Sequence, residues 1–175
     1  MSHHSNKLSA PVMLKDGGLV LLDNTVLTNF AQVEQMDLIR YLWGTPGTTI
    51  EVKQEYQHGV SVGKVPSNAL DDLNVITLTE QETADASGRF SNLGAGERTC
   101  LAVALHRRGL LVTDDRPARR IAARLGVRVT GTIGILVLCV VQDLLTLPEA
   151  NALLQAMITL GYYSPATQLE PFLPE

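Results

Sequence analysis

The stretch Gly18–Phe30, GLVLLDNTVLTNF, decides how the chain is read. Leu19, Val20, Leu21 and Leu22 form a continuous aliphatic run, the pattern of a strand covered on both faces rather than one alternating between core and solvent. The run ends on Asp23 instead of on a turn glycine. Beyond it, Val26, Phe30, Val33, Leu38 and Leu42 fall near one side of a helix expected over residues 26–42, which WGTPG terminates. A buried strand that delivers a carboxylate at its tip and passes into a helix is the opening unit of an α/β layer structure.

The rest of the chain repeats that unit. Strand-like runs recur at Thr48–Ile50, Asn74–Leu78, Leu110–Thr113 and Val127–Thr130, each followed by a segment of helical character. This order predicts an α/β fold on a mostly parallel central sheet of about five strands. In SNLGAGERTCLAVALHRRG a helix from Gly96 to Arg108 carries Leu101, Ala104 and Leu105 on one stripe. After Thr130 two further helices are expected, 132–146 and 149–160, the second with Pro148 at its first turn. Residues 1–17 read as a flexible N-terminal lead-in, 18–163 as one domain and 164–175 as a loosely structured C-terminal tail.

With 175 residues and 45% hydrophobic content, the chain suits a single domain with a sizeable core. The net charge of -4 argues against nucleic-acid binding through overall charge and leaves local patches open. Cys100 and Cys139 sit in apolar runs without metal-ligand spacing, and read as reduced packing residues. The N-terminus lacks the apolar core of a signal peptide, and His3 and His4 read as solvated tail. The most apolar stretch, Ile133–Val141, is far shorter than the roughly 20 residues of a membrane helix, so a cytoplasmic protein with no membrane association is expected.

Several acids stand where a parallel sheet binds its ligands, beyond the carboxyl ends of the strands. Asp23 follows the first strand, and Asp114 and Asp115 follow GLLVT. Each has a structural alternative: Asp23 suits a helix N-cap, and Pro117 makes one of the Asp114–Asp115 pair, Asp115 by spacing, the cap of the next helix. Glu97 lies four residues before Leu101, on the side of its helix that faces the core, although an acid in a first turn also suits the helix dipole. In GTTIEVKQEYQHG, Thr48 and Glu51 have the spacing of a capping box, which leaves Glu55, one turn on, free to face the sheet edge.

Gathered at one edge, such acids require cations. Two carboxylates about 5 Å apart repel by roughly 3 kcal/mol at an effective dielectric of about 20. Oxygen ligands without His or Cys suit a hard divalent ion such as Mg²⁺, which keeps several waters and is bound through a few carboxylates and substrate phosphates. The chemistry this implies is metal-assisted hydrolysis of a phosphodiester.

The blocks LLDNTVLTNFAQVEQMDLI, TTIEVKQEY and GAGERTCLAVALHRRGLLVTDDRPARRIAARLGVRVTGTIGIL resemble a PIN domain of the prokaryotic branch related to VapC-type toxins. The resemblance runs from about Leu19 to Leu145. It implies a three-layer α/β/α sandwich and an Mg²⁺- or Mn²⁺-dependent ribonuclease site of three to four acids. By motif, the first acid falls on Asp23, the Val-x-x-Glu on Val52 and Glu55, the Gly-Glu pair on Gly96 and Glu97, and the last acid on Asp114 or Asp115. Asp23, Glu97, Asp114 and Asp115 are thereby candidate metal ligands, with Glu55 beside them as a candidate catalytic acid. Two positions depart from the pattern: Asn24 stands where a small hydroxyl residue often follows the first Asp, with Thr25 next, and Thr49 stands where a proline often precedes Val-x-x-Glu. Candidate substrate contacts are Thr25, Asn29, Arg116, Arg119 and Arg120. The resemblance also implies an RNA substrate, a cognate antitoxin protein and a homodimer, to which the sequence adds apolar helix surface at 133–141 and 150–160 that suits core equally well.

Charge distribution bears on the RNA expectation. From Glu97 to Arg128 there are eight arginines and three acids, a balance of +5, against six basic and fifteen acidic residues elsewhere, or -9. A basic surface beside an acidic pocket suits a phosphate backbone, although Arg119, Arg120 and Arg124 also suit an ordinary solvated helix face. A phospho-acceptor receiver domain would want a lysine after a late strand, and VRVTGTIG has none. A catalytically silent PIN-like module that binds RNA or protein is the remaining alternative.

Overall fold

The aliphatic run forms the middle strand of the sheet. In the computed structural model, which describes residues 18–71 and 73–174, β1 (Val20–Leu22) is buried at every position. Around it stand β2 (Gly47–Thr49), β3 (Asn74–Ile76), β4 (Leu110–Val112) and β5 (Arg128–Thr130), in the order β3-β2-β1-β4-β5 with every pair parallel. The expected lead-in 1–17, with His3 and His4, lies outside the described residues.

Helices cover both faces of this sheet, giving the expected three-layer α/β/α sandwich. The connections are α1 (Asn24–Gln32), α2 (Met36–Trp43), α3 (Ile50–Ser61), α4 (Glu80–Ser87), α5 (Ala95–His106) and α6 (Arg116–Arg124), followed by α7 (Thr132–Val141) and α8 (Leu147–Thr159). α5 packs on β1, β2 and β4, with α3, α4 and α6 beside it. It is therefore buried around most of its circumference, from Gly96 through Ala104, and not only along the expected stripe. α1, α2, α7 and α8 form a second contiguous group, and α7 lies against β5.

Two local expectations are corrected. The helix expected over 26–42 is two helices, because the chain enters the left-handed region at Glu34 (φ 57°). The amide of Gln35 donates to the Phe30 carbonyl and that of Glu34 to the Ala31 carbonyl, the Schellman pattern, here without the usual glycine. The Thr48–Glu51 capping box does not form: Thr49 is the N-cap of α3 and makes no side-chain cap bond, while the Thr48 hydroxyl donates to the Leu22 carbonyl at 2.9 Å. Capping boxes instead start α4 (Thr79, Glu82) and α8 (Thr146, Glu149).

The C-terminal segment also departs from its expected looseness. Leu169 is fully buried, its amide donates to Asn151 Oδ1 at 2.9 Å, and a 3-10 turn follows at Glu170–Phe172. The apolar surface of 133–141 is core, with Ile135, Leu136 and Cys139 fully buried, and α8 buries Ala150, Leu154 and Met157. Only Val141 and Leu160, at the ends of the two stretches, are large apolar residues left exposed there. Both cysteines are free and buried, as expected of packing residues.

Candidate functional site

Because every strand is parallel, their carboxyl ends share one edge, and the strand order reverses between β1 and β4. That reversal is where open α/β sheets bind ligands. Asp23 and Thr113 are the first residues past these two strands. The Asp23 amide donates to the Val112 carbonyl at 3.0 Å, and the Thr113 hydroxyl donates to Asp23 Oδ2 at 2.7 Å. Oδ1 accepts from the Asn24 amide at 2.6 Å, so Asp23 does cap α1. Each oxygen keeps a second lone pair. Cap and site acid are thus compatible roles of one side chain.

Helices in such a fold run back against the strands, and their N-termini meet the same edge. α5 brings Glu97 there in its first turn, and α3 brings Glu55 in its second. Glu55 Oε1 accepts from the Gly96 amide at 3.0 Å. A Cβ at residue 96 would lie 2.9 Å from both Val52 Cγ2 and Glu55 Oε2, so the Gly-Glu and Val-x-x-Glu segments interlock and glycine is what allows α3 and α5 to approach. At Gly94 a Cβ would meet only the far end of the Glu97 side chain, which can swing aside. Gly96→Ala is therefore expected to cost about 1–3 kcal/mol through overpacking against the fully buried Val52, read as a lower urea midpoint. An unchanged midpoint would contradict the interlock.

The acids are electrostatically linked. Asp23 is fully buried, and its carboxyl is pushed up to about 7 by burial first and then by the Glu97 charge, with a further rise from Glu55 and opposition from the Thr113 and Asn24 bonds. Glu55 is also held above the usual carboxylate value, by burial and by the charges of Glu97 and Glu51, against the Gly96 hydrogen bond. None of Asp23, Glu55 and Glu97 makes an ion pair among the described residues.

Asp114 stands beyond β4 in a network of its own. It accepts from the Thr132 amide (2.9 Å), the Thr132 hydroxyl (2.6 Å), the Asn29 amide group (3.3 Å) and the Tyr162 hydroxyl (3.3 Å). These four donors occupy the lone pairs of both oxygens. Burial raises its carboxyl, while Thr132, the nearby Arg119 and Tyr162 pull the other way. Asp115 is turned to α6, where it caps the Ala118 amide at 2.7 Å, and its own amide donates to Thr113 Oγ1 at 3.1 Å.

The expected substrate contacts separate into two kinds. Thr25, Arg116 and Arg120 are exposed at this edge. Asn29 is only 4% exposed and its amide holds Asp114 and Thr132, so it positions the site from behind. Arg119 donates to the Thr113 carbonyl at 2.8 Å. The basic cluster counted along the sequence divides between both edges of the sheet: Arg107 ends α5 and pairs with the buried Glu82 at 2.7 Å, and Arg128, at the start of β5, bonds the Arg108 carbonyl. Reading along the chain missed Thr113, Thr132 and Tyr162. The two threonines adjoin TDD and GTIG and were findable there; Tyr162 lies beyond α8 and reaches Asp114 only through the fold.

Two layers of helix on a parallel sheet, with acids converging at its switch point, define a PIN-like α/β/α domain. A family model described as a PIN domain matches residues 19–175, and the chain belongs to that family. PIN domains are generally nucleases, so the fold is that of a nucleic-acid hydrolase. No curated protein matches the chain. No helix among the described residues is long and apolar enough to cross a membrane.

Proposed function

We propose that the protein is a divalent-metal-dependent endoribonuclease that hydrolyses RNA phosphodiesters with Mg²⁺ or Mn²⁺, and that it is the toxin of a toxin–antitoxin pair. The observation that carries the nuclease reading is the charge balance at the β1 tip. Asp23, Glu55 and Glu97 act on one another as like charges and make no ion pair among the described residues, and a bound divalent ion would offset that repulsion.

Asp23 and Glu97 would hold the ion directly, each through a free oxygen lone pair. Among the described residues no three His, Cys, Asp or Glu side chains form a ready ligand group; Mg²⁺ is commonly held by one or two carboxylates and otherwise by water. When bound, the metal supplies an activated water and charge stabilisation of the phosphate oxygens. Glu55, held above the usual carboxylate value, would be the group to take or return a proton beside the ion. Asp114, with its oxygens occupied, acts from the outer layer by fixing Thr132 and, with Thr113, the separation of the two strand ends. Asp115, engaged as the cap of α6, would not be a direct ligand. Arg116 and Arg120, exposed at the same edge, face the incoming phosphates together with Thr25.

The test is cleavage of a labelled RNA with Mg²⁺, with Mn²⁺ and with a chelator. Cleavage restored by either metal and abolished by chelation is expected; metal-independent cleavage, or none under any condition, would overturn the reading in favour of a silent binding module. The toxin role is tested separately by induced expression, which should arrest growth for the wild type and spare it for Asp23→Asn. Such a toxin requires a small antitoxin protein that covers the site.

A further inference from the structure

Four of the nine residues of α6 are arginine and none is acidic. Ala118 and Ala122 are its buried positions, and Arg119 turns inward to donate to the Thr113 carbonyl at 2.8 Å. The other three, Arg116, Arg120 and Arg124, are exposed. Being four residues apart, they share one stripe of the helix, with about 6 Å of rise from each to the next. Among the described residues none of the three makes an ion pair or a side-chain hydrogen bond.

The stripe does nothing for the helix that carries it. Like charges four residues apart repel, and Arg116 stands in the first turn, where the helix dipole favours an acid. The acid at that end, Asp115, is engaged with the Ala118 amide, and from Arg116 to Arg128 the sequence has no other. A face that needs only solvation gains from interspersing both signs of charge. Three uncompensated guanidinium groups in a row call instead for an anion with several charges in a row.

The place of the stripe says which. Asp115 caps α6 with its amide on Thr113 Oγ1, the hydroxyl that holds Asp23, so Arg116 begins at the edge where the acids converge. From there α6 runs back along the sheet toward the start of β5, and Arg124 lies about 12 Å further from that edge. Guanidinium groups stay charged and meet phosphates bidentately. The phosphates of an RNA strand repeat at an interval comparable to one helical turn.

We infer that the exposed stripe of α6 is a track for the RNA backbone, one arginine to each phosphate, leading away from the cleaved bond. The inference rests on the nuclease reading and deepens it: the substrate is a strand that extends by at least three phosphates to one side of the acids, and Arg124 belongs to its recognition. Contacts of this kind set register and affinity and carry no base preference.

The experiment measures binding without cleavage. A labelled oligouridylate long enough to span α6 is titrated in chelator, over a range of salt concentrations, into wild type, Arg124→Gln and Arg89→Gln, each shown by thermal melting to be folded. Arg89 is exposed beyond α4, so its variant loses the same charge away from the stripe. Arg124→Gln should bind more weakly, with a slope of log affinity against log salt shallower by about 0.7, the share of one phosphate contact on a single strand, while Arg89→Gln should match wild type. No binding by wild type, equal slopes for wild type and Arg124→Gln, or an equal loss in Arg89→Gln would overturn the track. So would poly-glutamate that binds as tightly as RNA with the same loss in Arg124→Gln, which would assign the stripe to an acidic protein. Arg120→Glu supplies a second reading, since it replaces two repulsions along α6 by two attractions. It should melt no lower than wild type while binding RNA more weakly; a lower melting temperature would make the stripe structural and overturn the inference. Stripe-dependent binding by a protein that cleaves no RNA would keep the track and remove the nuclease reading, whereas metal-dependent cleavage with the same KM in wild type and Arg124→Gln would do the reverse.

Discussion

Asp23→Asn is expected to lower RNA cleavage by more than about a hundredfold while making the metal-free protein more stable at neutral and alkaline pH. The activity loss follows from the proposed role: outer partners of metal ligands alone are worth about 10–100-fold, and Asp23 would be a direct ligand. The stability gain follows from linkage. Asp23 titrates at about 7 in the folded state, against 3.8 for an ordinary aspartate. Between those values the folded protein retains a proton that the unfolded chain has lost, so the stability of metal-free wild type falls as pH rises from about 4 to about 7 and levels off above. The full difference corresponds to at most about 4 kcal/mol. Asparagine carries no such penalty and accepts one bond fewer from Asn24 or Thr113, so the Asp23→Asn variant should not share the decline and should be the less stable protein near pH 4. Urea unfolding in chelator at pH 4.5 and pH 8 reads the crossing directly. Mg²⁺ should then raise the midpoint of wild type at pH 8 and leave the variant nearly unmoved. Parallel pH profiles for the two proteins would show that Asp23 is not the strained acid at the centre of the site.

Leu22→Ala is expected to cost about 2–5 kcal/mol, a large part of the roughly 5–15 kcal/mol that holds a domain of this size folded. Leu22 is fully buried in the middle strand, pairs in register with Val112, and its carbonyl accepts from the Thr48 hydroxyl at 2.9 Å and the Cys100 thiol at 3.7 Å. The residue therefore locks β1 to β2, β4 and α5 immediately before the chain delivers Asp23. Leu22→Met, which conserves volume, should cost less than about 1.5 kcal/mol. Urea midpoints of the two variants provide the measurement, with RNA cleavage compared well below both transitions. A loss under about 1 kcal/mol for the alanine variant would mean that β1 is not a rigid mount for the carboxylate.

The order of elements and the edge occupied by the acids were legible because both obey short-range rules. Continuous aliphatic runs mark buried parallel strands, and the residue next in sequence after each strand lies at its carboxyl end in space. Asp115 as the cap of α6 was legible for the same reason, since Pro117 fixes the start of the helix. The break between α1 and α2 was not, because neither Gly nor Pro marks Glu34, although its left-handed backbone closes the turn and Met36 and Ile39 are buried just beyond it. The Thr48–Glu51 box failed because the hydroxyl has a better partner in Leu22, which is distant in sequence.

By itself the sequence determined the class of fold and the set of acids, since strand burial, helix starts and residue chemistry are local properties of the chain. Only the tertiary structure decided the surroundings of each acid. Asp23 is strained because the packed sheet edge buries it and, next, because α5 brings the Glu97 charge to the same edge; Asp114 is saturated because α1, α7 and the segment after α8 send Asn29, Thr132 and Tyr162 to it; and part of the arginine cluster faces away because Arg107 and Arg128 stand at the opposite edge. Contacts between distant segments set the field at a buried carboxylate, and no interval along the chain encodes that field.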